Sequence, residues 1–446
     1  MDGAAVHAAL AALVGDAHVL PSPALTDSTG RDVGRPRWVV QPGSTAEVVA
    51  LVQLCRERRI VIVPVGSRTA YWSPLRLDNS VAVDVSRLHR LEVANGVVRA
   101  GAGWPVRLLD QALRRGGAHL PLHPDAFGDT QLGSLVATAC TSGIGMGSGS
   151  WGQILTGVEW VSGAGTAMWT GAADRSGVAP FMREGRPELT SLLLGSEGGL
   201  GIVTELAFRR RPPPWRIRLS GQAPSVLPLF PLGAELAGVY DTFRVQRTSR
   251  GSGEWTVDVW VVSTFSAREA AERAVEVARR LRIAGVSVRA PEAETAAART
   301  GRSPDYDERW NGPLNGLGDF LARASLRGVD VNAPWSAAEA VLHVLENLVA
   351  AQVAAGVSES RLAMYAAPDF VNFGVHATVL PGESWSDEDD TPTYDALLAL
   401  PVIPYRVGRR WPRGSADALG SRDVLRALKS ACDPDGILAP GVGPWS

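Results

Sequence analysis

Glycines recur in three segments whose backbone could closely approach a bound anion. The first is residues 66–69 (GSRT), the second is residues 128–134, and the third, residues 142–152, has glycine at alternate positions from Gly143 to Gly149. Because glycine lacks a Cβ, several N–H groups of such loops can point at one anion, as binding of a pyrophosphate requires. Alone, the third segment fits a flexible loop equally well. Together, the three favour a dinucleotide site.

The alternating glycines match neither common phosphate-binding motif. They lack the Gly-Lys-Ser/Thr of a phosphate loop, and they do not form a clean Gly-x-Gly-x-x-Gly that opens a helix after a strand. The sequence therefore favours a dinucleotide-binding fold other than the Rossmann fold. Three scattered cysteines, Cys55, Cys140 and Cys432, are too few for a disulfide framework or a zinc site, which fits a reducing cytoplasm.

The elements that position these loops begin with a strand–helix–strand unit. Residues 38–40 predict a strand, and Ser44 and Glu47 then form a capping box that opens a helix. Apolar residues at helical spacing continue to Cys55, and β-branched residues 60–63 predict the next strand. Further strands are predicted at residues 81–85, 97–100, 158–161 and 202–208.

The segment RRRPPP at residues 209–214 predicts a domain boundary, since three prolines forbid regular structure. Beyond it, capping boxes at Ser266/Glu269 and Ser336/Glu339 predict two helices, which end near residues 281 and 355. Strands are predicted at residues 256–262, 326–331, 361–366 and 371–380, and a last helix at 421–430. This order predicts a second α+β layer built on a mixed sheet.

Composition limits the classes of partner. The chain has 446 residues and a formal net charge of −2, which argues against nucleic acid, because nucleic-acid-binding proteins concentrate positive charge. Asp2 stands where a signal sequence would carry basic residues, and no stretch predicts a membrane span. We expect a cytoplasmic protein that acts on a small molecule, without a membrane, and a homodimer is compatible with the sequence.

The order of several segments resembles the FAD-binding domain of the vanillyl-alcohol oxidase/p-cresol methylhydroxylase (PCMH-type) superfamily. The segments are PVGSRTAYW, VAVDVSRLHRLEV, VVRAGAGW, HPDAFGDTQLGSLVATA, WGQILTGVEWVSGAG and GSEGGLGIVTELAF, within residues 31–212. The tail LKSACDPDGILAPGVGPW is similar to the C-terminal segment of that superfamily. The resemblance implies an α+β fold with an FAD-binding domain (residues 1–212, two α/β subdomains), a mixed-sheet cap domain (213–390) and a segment that returns to the FAD domain (391–446).

The resemblance also implies which residues contact FAD and substrate. Those expected to bind FAD are Gly66, Ser67, Arg68, Thr69, Gly133, Ser134, Thr138, Gly143, Gly201, Ile202 and Val203. Within the superfamily the sequence is most similar to the branch of vanillyl alcohol oxidase, eugenol oxidase and 4-cresol dehydrogenase, which oxidises para-substituted phenols. That likeness implies that Tyr71, Tyr405 and Arg406 hold a phenolate and that Asp125 lies beside the flavin N5.

These four residues suit that chemistry, because a guanidinium and two phenols stabilise an oxyanion. A nearby carboxylate offsets the positive character of an electron-poor intermediate. Each residue also has an ordinary structural alternative. Tyr71 could pack in a loop, Asp125 could be a turn residue after proline, and Tyr405 and Arg406 could be a strand end with a surface arginine.

The sequence departs from the family where the flavin would be attached. Ser67 and Arg68 replace glycines of related loops, and Ala439 replaces the usual asparagine of the tail. Thr69 stands where some relatives carry a flavin-linked histidine, and the second such position falls near residues 373–374. The sequence therefore predicts non-covalent FAD, and leaves open whether Cys140 or His376 contacts the flavin.

Three other functions stay open. A 2-hydroxy-acid dehydrogenase of the superfamily would carry a histidine cluster in its cap, where this chain has only His343 and His376 without paired spacing. A tailoring oxidase of a larger natural product would use the two tyrosines as acid and base. A flavin-binding protein without turnover is the non-enzymatic alternative. Whether oxygen or another acceptor reoxidises the flavin does not follow from the sequence.

Overall fold

The computed structural model describes most of the chain. The described residues are 3–21, 25–26, 32–70, 76–122, 130–140, 145–172, 180–183, 188–251, 253–293, 325–380, 382–386, 388–405 and 422–442. Of the predicted site residues, Tyr71, Asp125, Gly143 and Arg406 lie outside them. For Tyr405 the backbone alone is described.

The N-terminal half contains two larger sheets, a two-stranded sheet of β2 and β3, and helices between the strands. Its strands are β1 (Val19–Pro21), β2 (Leu25–Thr26), β3 (Asp32–Gly34), β4 (Trp38–Val40), β5 (Ile62–Val65), β6 (Val81–Asp84), β7 (Leu91–Ala94), β8 (Val97–Gly101), β9 (Leu155–Ser162), β10 (Ala167–Trp169) and β11 (Gly201–Arg209). Its helices are α1 (Gly3–Val14), α2 (Thr45–Arg58), α3 (Val106–Arg115), α4 (Leu132–Ala137), α5 (Trp151–Ile154) and α6 (Thr190–Leu193).

The first sheet contains the predicted strand–helix–strand unit. Its order is β1-β4-β6-β5, with β6 parallel to both β4 and β5. The Ser44 hydroxyl accepts the N–H of Glu47 at 3.2 Å, as the capping box predicts, but the Glu47 carboxylate accepts the N–H of Gly43 at 2.8 Å, outside the standard reciprocal pair. Left-handed Arg59 (φ 51°) ends α2.

The second sheet is antiparallel, in the order β10-β9-β11-β8-β7. The two sheets share one hydrophobic core, to which α1, α2, α3 and α4 contribute apolar residues. After β11 ends at Arg209, β12 begins at Trp215 in a different sheet with its own core. The change of sheet therefore coincides with the proline segment.

The C-terminal half is built on one nine-stranded sheet, called the cap sheet below. Its strands are β12 (Trp215–Ala223), β13 (Tyr240–Thr248), β14 (Trp255–Ser263), β15 (Ser287–Val288), β16 (Glu292–Ala293), β17 (Ser325–Ala333), β18 (Glu359–Ala366), β19 (Val371–Val379) and β20 (Ile403–Tyr405). The order is β15-β12-β14-β13-β18-β19-β17-β20, and β16 also pairs with β12. The helices are α7 (Leu229–Glu235), α8 (Ala267–Ile283), α9 (Ala338–Ala354), α10 (Thr391–Leu398) and α11 (Arg422–Cys432).

The α+β class is confirmed, and two details of the cap differ from the sequence prediction. All pairings between described cap strands are antiparallel, where a mixed sheet is predicted, because β13–β14 and β18–β19 pair as hairpins. The predicted capping box at Ser336 is wrong. Ser336 lies inside a 3₁₀ turn, Trp335–Ala337, that follows Pro334, so α9 begins later and its N-cap Ala337 has no side-chain cap.

The return of the chain to the N-terminal half begins later than residue 391. Tyr394 and Leu397 of α10 are buried in the cap core, and β20 pairs with β17. The contact with the first sheet comes at the tail, where Ile62 and Leu438 form a parallel bridge. The prediction that residues 391–446 all return is therefore corrected, since the apolar face of α10 packs on α9.

Among the described residues, one segment, Trp335–Ala354, is long and apolar enough to cross a membrane, with a mean hydropathy of 1.2. The core helix of a soluble protein passes the same test. Val341, Leu345 and Leu348 of this helix are buried in the cap core.

Candidate cofactor and substrate site

The structure brings the first glycine loop against the start of α4. A Cβ on Gly66 would collide with the Ser134 hydroxyl oxygen and would lie 3.1 Å from the Gln131 side-chain oxygen. The Gln131 N–H donates to the Ser67 hydroxyl at 3.3 Å, and the hydroxyls of Thr69 and Thr130 are 3.0 Å apart. The two loops that the sequence assigns to one ligand are therefore in contact. We call residues 66–69 with 130–134 the cradle.

Thr138 and Gly133, both predicted to bind FAD, make contacts within the protein. The Thr138 hydroxyl donates to the Ser134 carbonyl at 2.7 Å, so it closes the end of α4. Gly133 packs on Ala102, because a Cβ there would lie 2.7 Å from the Ala102 Cβ. Arg68 has φ 55°, a conformation that glycine adopts freely and that costs a side-chain-bearing residue about 1 kcal/mol or more.

A third segment, the turn of residues 195–201, packs against α4 and the end of β5, the two elements next to the cradle. Within it, Gly195 and Glu197 donate their N–H groups to the carbonyls of Val136 and Ala137 at 3.1 and 2.8 Å. A Cβ on Gly198 would lie 2.7 Å from Pro64, two residues before Gly66. Residues 201–203, which the sequence predicts to bind FAD, lie at the start of β11. Among the described strands their backbone pairs with β9 only, because the pairing of β11 with β8 begins at Glu205.

The cap sheet has one apolar and one polar face. Direct cross-strand partners lie on the same side of an antiparallel sheet, so the register assigns residues to faces. Val331, Phe373 and Met364 lie on the side that α8 and α9 cover. The other side, called the polar face below, carries Asp330, Asn332, Asn372, Tyr365, His376 and Arg361.

The polar face turns towards the N-terminal half. Met146 packs with Ala363 and Tyr365, and the Gly145 N–H donates to the Thr242 hydroxyl at 3.3 Å. A Cβ on Gly147 would collide with the Tyr240 carbonyl oxygen. The described part of the third glycine segment therefore packs on the cap sheet, and its glycines permit that close approach.

A chain of polar contacts crosses the polar face. The Asp330 carboxylate lies 3.3 Å from Nε2 of His376, and Nδ1 of His376 lies 3.5 Å from the Arg361 guanidinium. Asp330 and His376 are 3% and 8% exposed, so this contact is shielded from water. Gly374 makes room for it, since a Cβ there would lie 2.7 Å from the carboxylate. Nearby, Asn372 donates to the Asn332 side-chain oxygen at 2.9 Å.

Most residues of the polar face were not predicted from the sequence as site residues. The signal that could have found it is a polar residue at alternate positions of otherwise apolar strands, as in VDVNA (Val329–Ala333 of β17) and VNFGVHATV (β19). Tyr405 is the one predicted catalytic residue whose backbone is described, and it pairs in register with Asp330. His376, left open as a flavin contact, belongs to this face.

Known proteins match this chain both in sequence and in fold. Residues 36–171 match the family model for the FAD binding domain. A solved 4-ethylphenol oxidase from Gulosibacter chungangensis superposes with a TM-score of 0.76 at 16% identity, covering 98% of this chain and 96% of the other. A solved alkyldihydroxyacetonephosphate synthase gives 0.66 at 15% identity, covering 92% and 77%.

Residues 36–171 therefore form an FAD binding domain, and the chain shares its fold with the solved 4-ethylphenol oxidase. The cofactor of this chain is FAD. The cradle fits this group in two respects. The absence of a Cβ at Gly66 lets the two loops lie in direct contact, and the Gln131 side-chain oxygen is buried without a hydrogen-bond partner in the structure. Non-covalent attachment stays a prediction.

Relatives found by sequence match a smaller region. The D-lactate dehydrogenase [cytochrome] of Arabidopsis thaliana is 29% identical over 41% of this chain and 32% of the relative. The D-2-hydroxyglutarate dehydrogenase of Xanthomonas citri pv. viticola is 29% identical over 50% of this chain and 47% of the relative. The match spans about a third to a half of these relatives' own lengths, so their names do not fix the substrate.

Proposed function

We propose that the protein is an FAD-dependent oxidoreductase that removes a hydride from the benzylic carbon of a para-substituted phenol. The observation that carries the proposal is the polar face, which bears a buried carboxylate–histidine pair and, at Ala363 and Tyr365, packs against Met146 of the N-terminal half. A surface of polar groups next to aromatic and aliphatic ones suits a ring with a hydroxyl.

In the proposed reaction the substrate loses a proton from oxygen and a hydride from carbon, and becomes a quinone methide. FAD, when bound, takes the hydride with its two electrons. The contacts of His376 with Arg361 and Asp330 orient the Asp330 carboxylate, which we assign as the acceptor of the hydroxyl proton.

The resemblance supplies the remaining roles. Tyr71, Tyr405 and Arg406 would hold the phenolate, and Asp125 would stabilise the electron-poor carbon. The backbone register supports this set, because Tyr405 and Asp330 are cross-strand partners in the cap sheet.

A second candidate is oxidation of a 2-hydroxy acid. Two observations favour it: the names of the D-lactate and D-2-hydroxyglutarate dehydrogenases, and Arg361, whose guanidinium would pair with a carboxylate. A tailoring oxidation of a larger aromatic alcohol is a variant of the first proposal.

The test is anaerobic reduction of the bound flavin by two matched panels, 4-alkylphenols and D-2-hydroxy acids. We expect 4-alkylphenols to bleach the visible flavin absorbance. Bleaching by D-2-hydroxy acids alone would contradict the phenol proposal in favour of the second candidate. A flavin that no member of either panel reduces would contradict both.

A further inference from the structure

Glu197 stands out among the carboxylates near the cradle. It lies on the turn of residues 195–201, which touches α4 at Ala137 and the end of β5 at Pro64. Both elements lead directly into residues that the cradle contains. The turn is therefore built into the cofactor site, although the predicted FAD contacts do not include Glu197.

The backbone holds Glu197 in an unusual conformation. Its φ is 49°, in the left-handed region, and Gly195 and Gly198 on either side also have positive φ. A non-glycine residue in that region is strained, and such strain concentrates at ligand-contacting positions. A glycine would fit this turn without strain, so the turn alone does not account for a glutamate.

The Glu197 carboxyl group lacks the partners that a buried charge requires. Its Oε2 is buried and makes no hydrogen bond in the structure. Burial raises the pKa of this carboxyl to about 7, and no charged group offsets that effect. The residue as a whole retains partial exposure, although its Oε2 is buried.

Charged groups near the turn are engaged elsewhere. The Lys429 ammonium binds the Gly199 carbonyl at 2.7 Å, the Asp433 carboxylate at 2.6 Å and the Leu438 carbonyl at 2.9 Å. From α4 and β5, the neighbours of the turn are Ala137, Ala139 and Pro64, which carry no charge. No described neighbour therefore supplies a cation or a donor to Glu197.

From the buried, unpartnered Oε2 and the contacts of its turn with α4 and Pro64, we propose that Glu197 is a cofactor-contacting residue whose carboxyl group donates a hydrogen bond to an oxygen of FAD. FAD binding then takes up one proton above neutral pH. A dianionic pyrophosphate in the same site acts in the same direction, because a second negative charge nearby disfavours the carboxylate. This proposal goes beyond the proposed function and holds for either substrate class.

The sign of the pH effect follows from linkage. Below pH 7 the free protein already carries the proton, so FAD affinity does not change with pH there. Above pH 7 the free carboxyl ionises, and each further pH unit weakens binding by up to tenfold. Between pH 6.5 and 8.5 the Kd for FAD should rise about 20-fold.

The test measures FAD binding to the deflavinated full-length protein, without turnover. Calorimetry at pH 8 in two buffers of different ionisation enthalpy counts the protons taken up, and fluorescence gives Kd across pH 6.5–8.5. We expect uptake of close to one proton and the rise in Kd. Glu197→Gln should abolish both, because its amide does not ionise, whereas the exposed Glu57→Gln should behave like wild type.

Two results would overturn the proposal. One is a wild-type Kd that stays constant from pH 6.5 to 8.5 with no proton uptake. The other is Glu197→Gln with the pH dependence of wild type, which would place the titrating group elsewhere. The wild-type measurement decides by itself if Glu197→Gln does not fold.

Discussion

At the residue scale, small side chains decide what the cofactor cradle can hold. Gly66 faces the Ser134 hydroxyl so closely that no Cβ fits between the loops, and Ser67 and Thr69 bind the facing segment through their hydroxyls. Side-chain contacts therefore hold this loop against the facing segment, and the space at Gly66 should control affinity for FAD.

Gly66→Ala should destabilise the protein by about 1–3 kcal/mol and weaken FAD binding, because overpacking displaces Ser134. Gly66→Ala/Ser134→Ala should recover much of both losses, since the atoms that remain near the new Cβ are the Gln131 side-chain oxygen at 3.1 Å and the residue 134 Cβ at 3.5 Å. Thermal unfolding and FAD titration of the two variants measure this. Equal losses in the single and double variants would show that the collision is not the cause.

At the element scale, periodicity predicted the regular structure well. The predicted strand at 202–208 is observed as Gly201–Arg209. The predicted helix that begins after Ser266 is observed as Ala267–Ile283, and the Ser266 hydroxyl at its start accepts the N–H of Glu269 as predicted. These elements are set by local patterns. Polar faces are set by register between strands far apart in the chain, so the pairing of Asp330 with His376 could not be predicted from either strand alone.

The same contrast holds for the candidate site. Glycine loops predicted the cradle because glycine reports a local backbone requirement. The role of Glu197 depends on burial and on missing partners, which only the tertiary structure reveals. The Ser336 capping box failed because Pro334 starts a 3₁₀ turn that local sequence did not indicate.

Helix α11 stabilises the cofactor side through one residue, the only lysine of the chain. Lys429→Met removes three contacts and leaves the fully buried Asp433 carboxylate without its cation, so we expect a loss of about 3 kcal/mol in unfolding free energy. Denaturant unfolding measures it. Arg268→Met, which breaks the exposed Arg268–Glu272 pair, is the control and should cost under about 0.5 kcal/mol. Similar losses in both variants would contradict the assigned role.

At the scale of the whole molecule, two buried ion pairs lie near the junction of the two halves, one pair in each half. Asp110 and Arg114 of α3 pair at 2.7 Å, and Arg216 and Asp241 of the cap sheet pair at 2.5 Å. His119 lies within reach of both pairs, and burial, reinforced by Arg216, lowers its pKa to about 3. The histidine stays neutral there and contacts the Arg211 carbonyl in the proline segment at 3.2 Å. The cluster therefore lies where the N-terminal half meets the proline segment that leads into the cap sheet.

In the proposed function, substrate binds between FAD and the polar face of the cap sheet. Stopped-flow reduction of the bound flavin tests it with the best substrate, comparing wild type, Asp330→Asn and Glu346→Gln. Glu346 lies on α9, behind the sheet, where it pairs with Arg247. The account predicts that Asp330→Asn reduces its flavin about 10²-fold more slowly with FAD content and Tm retained, while Glu346→Gln matches wild type. Wild-type reduction rates in Asp330→Asn would contradict it.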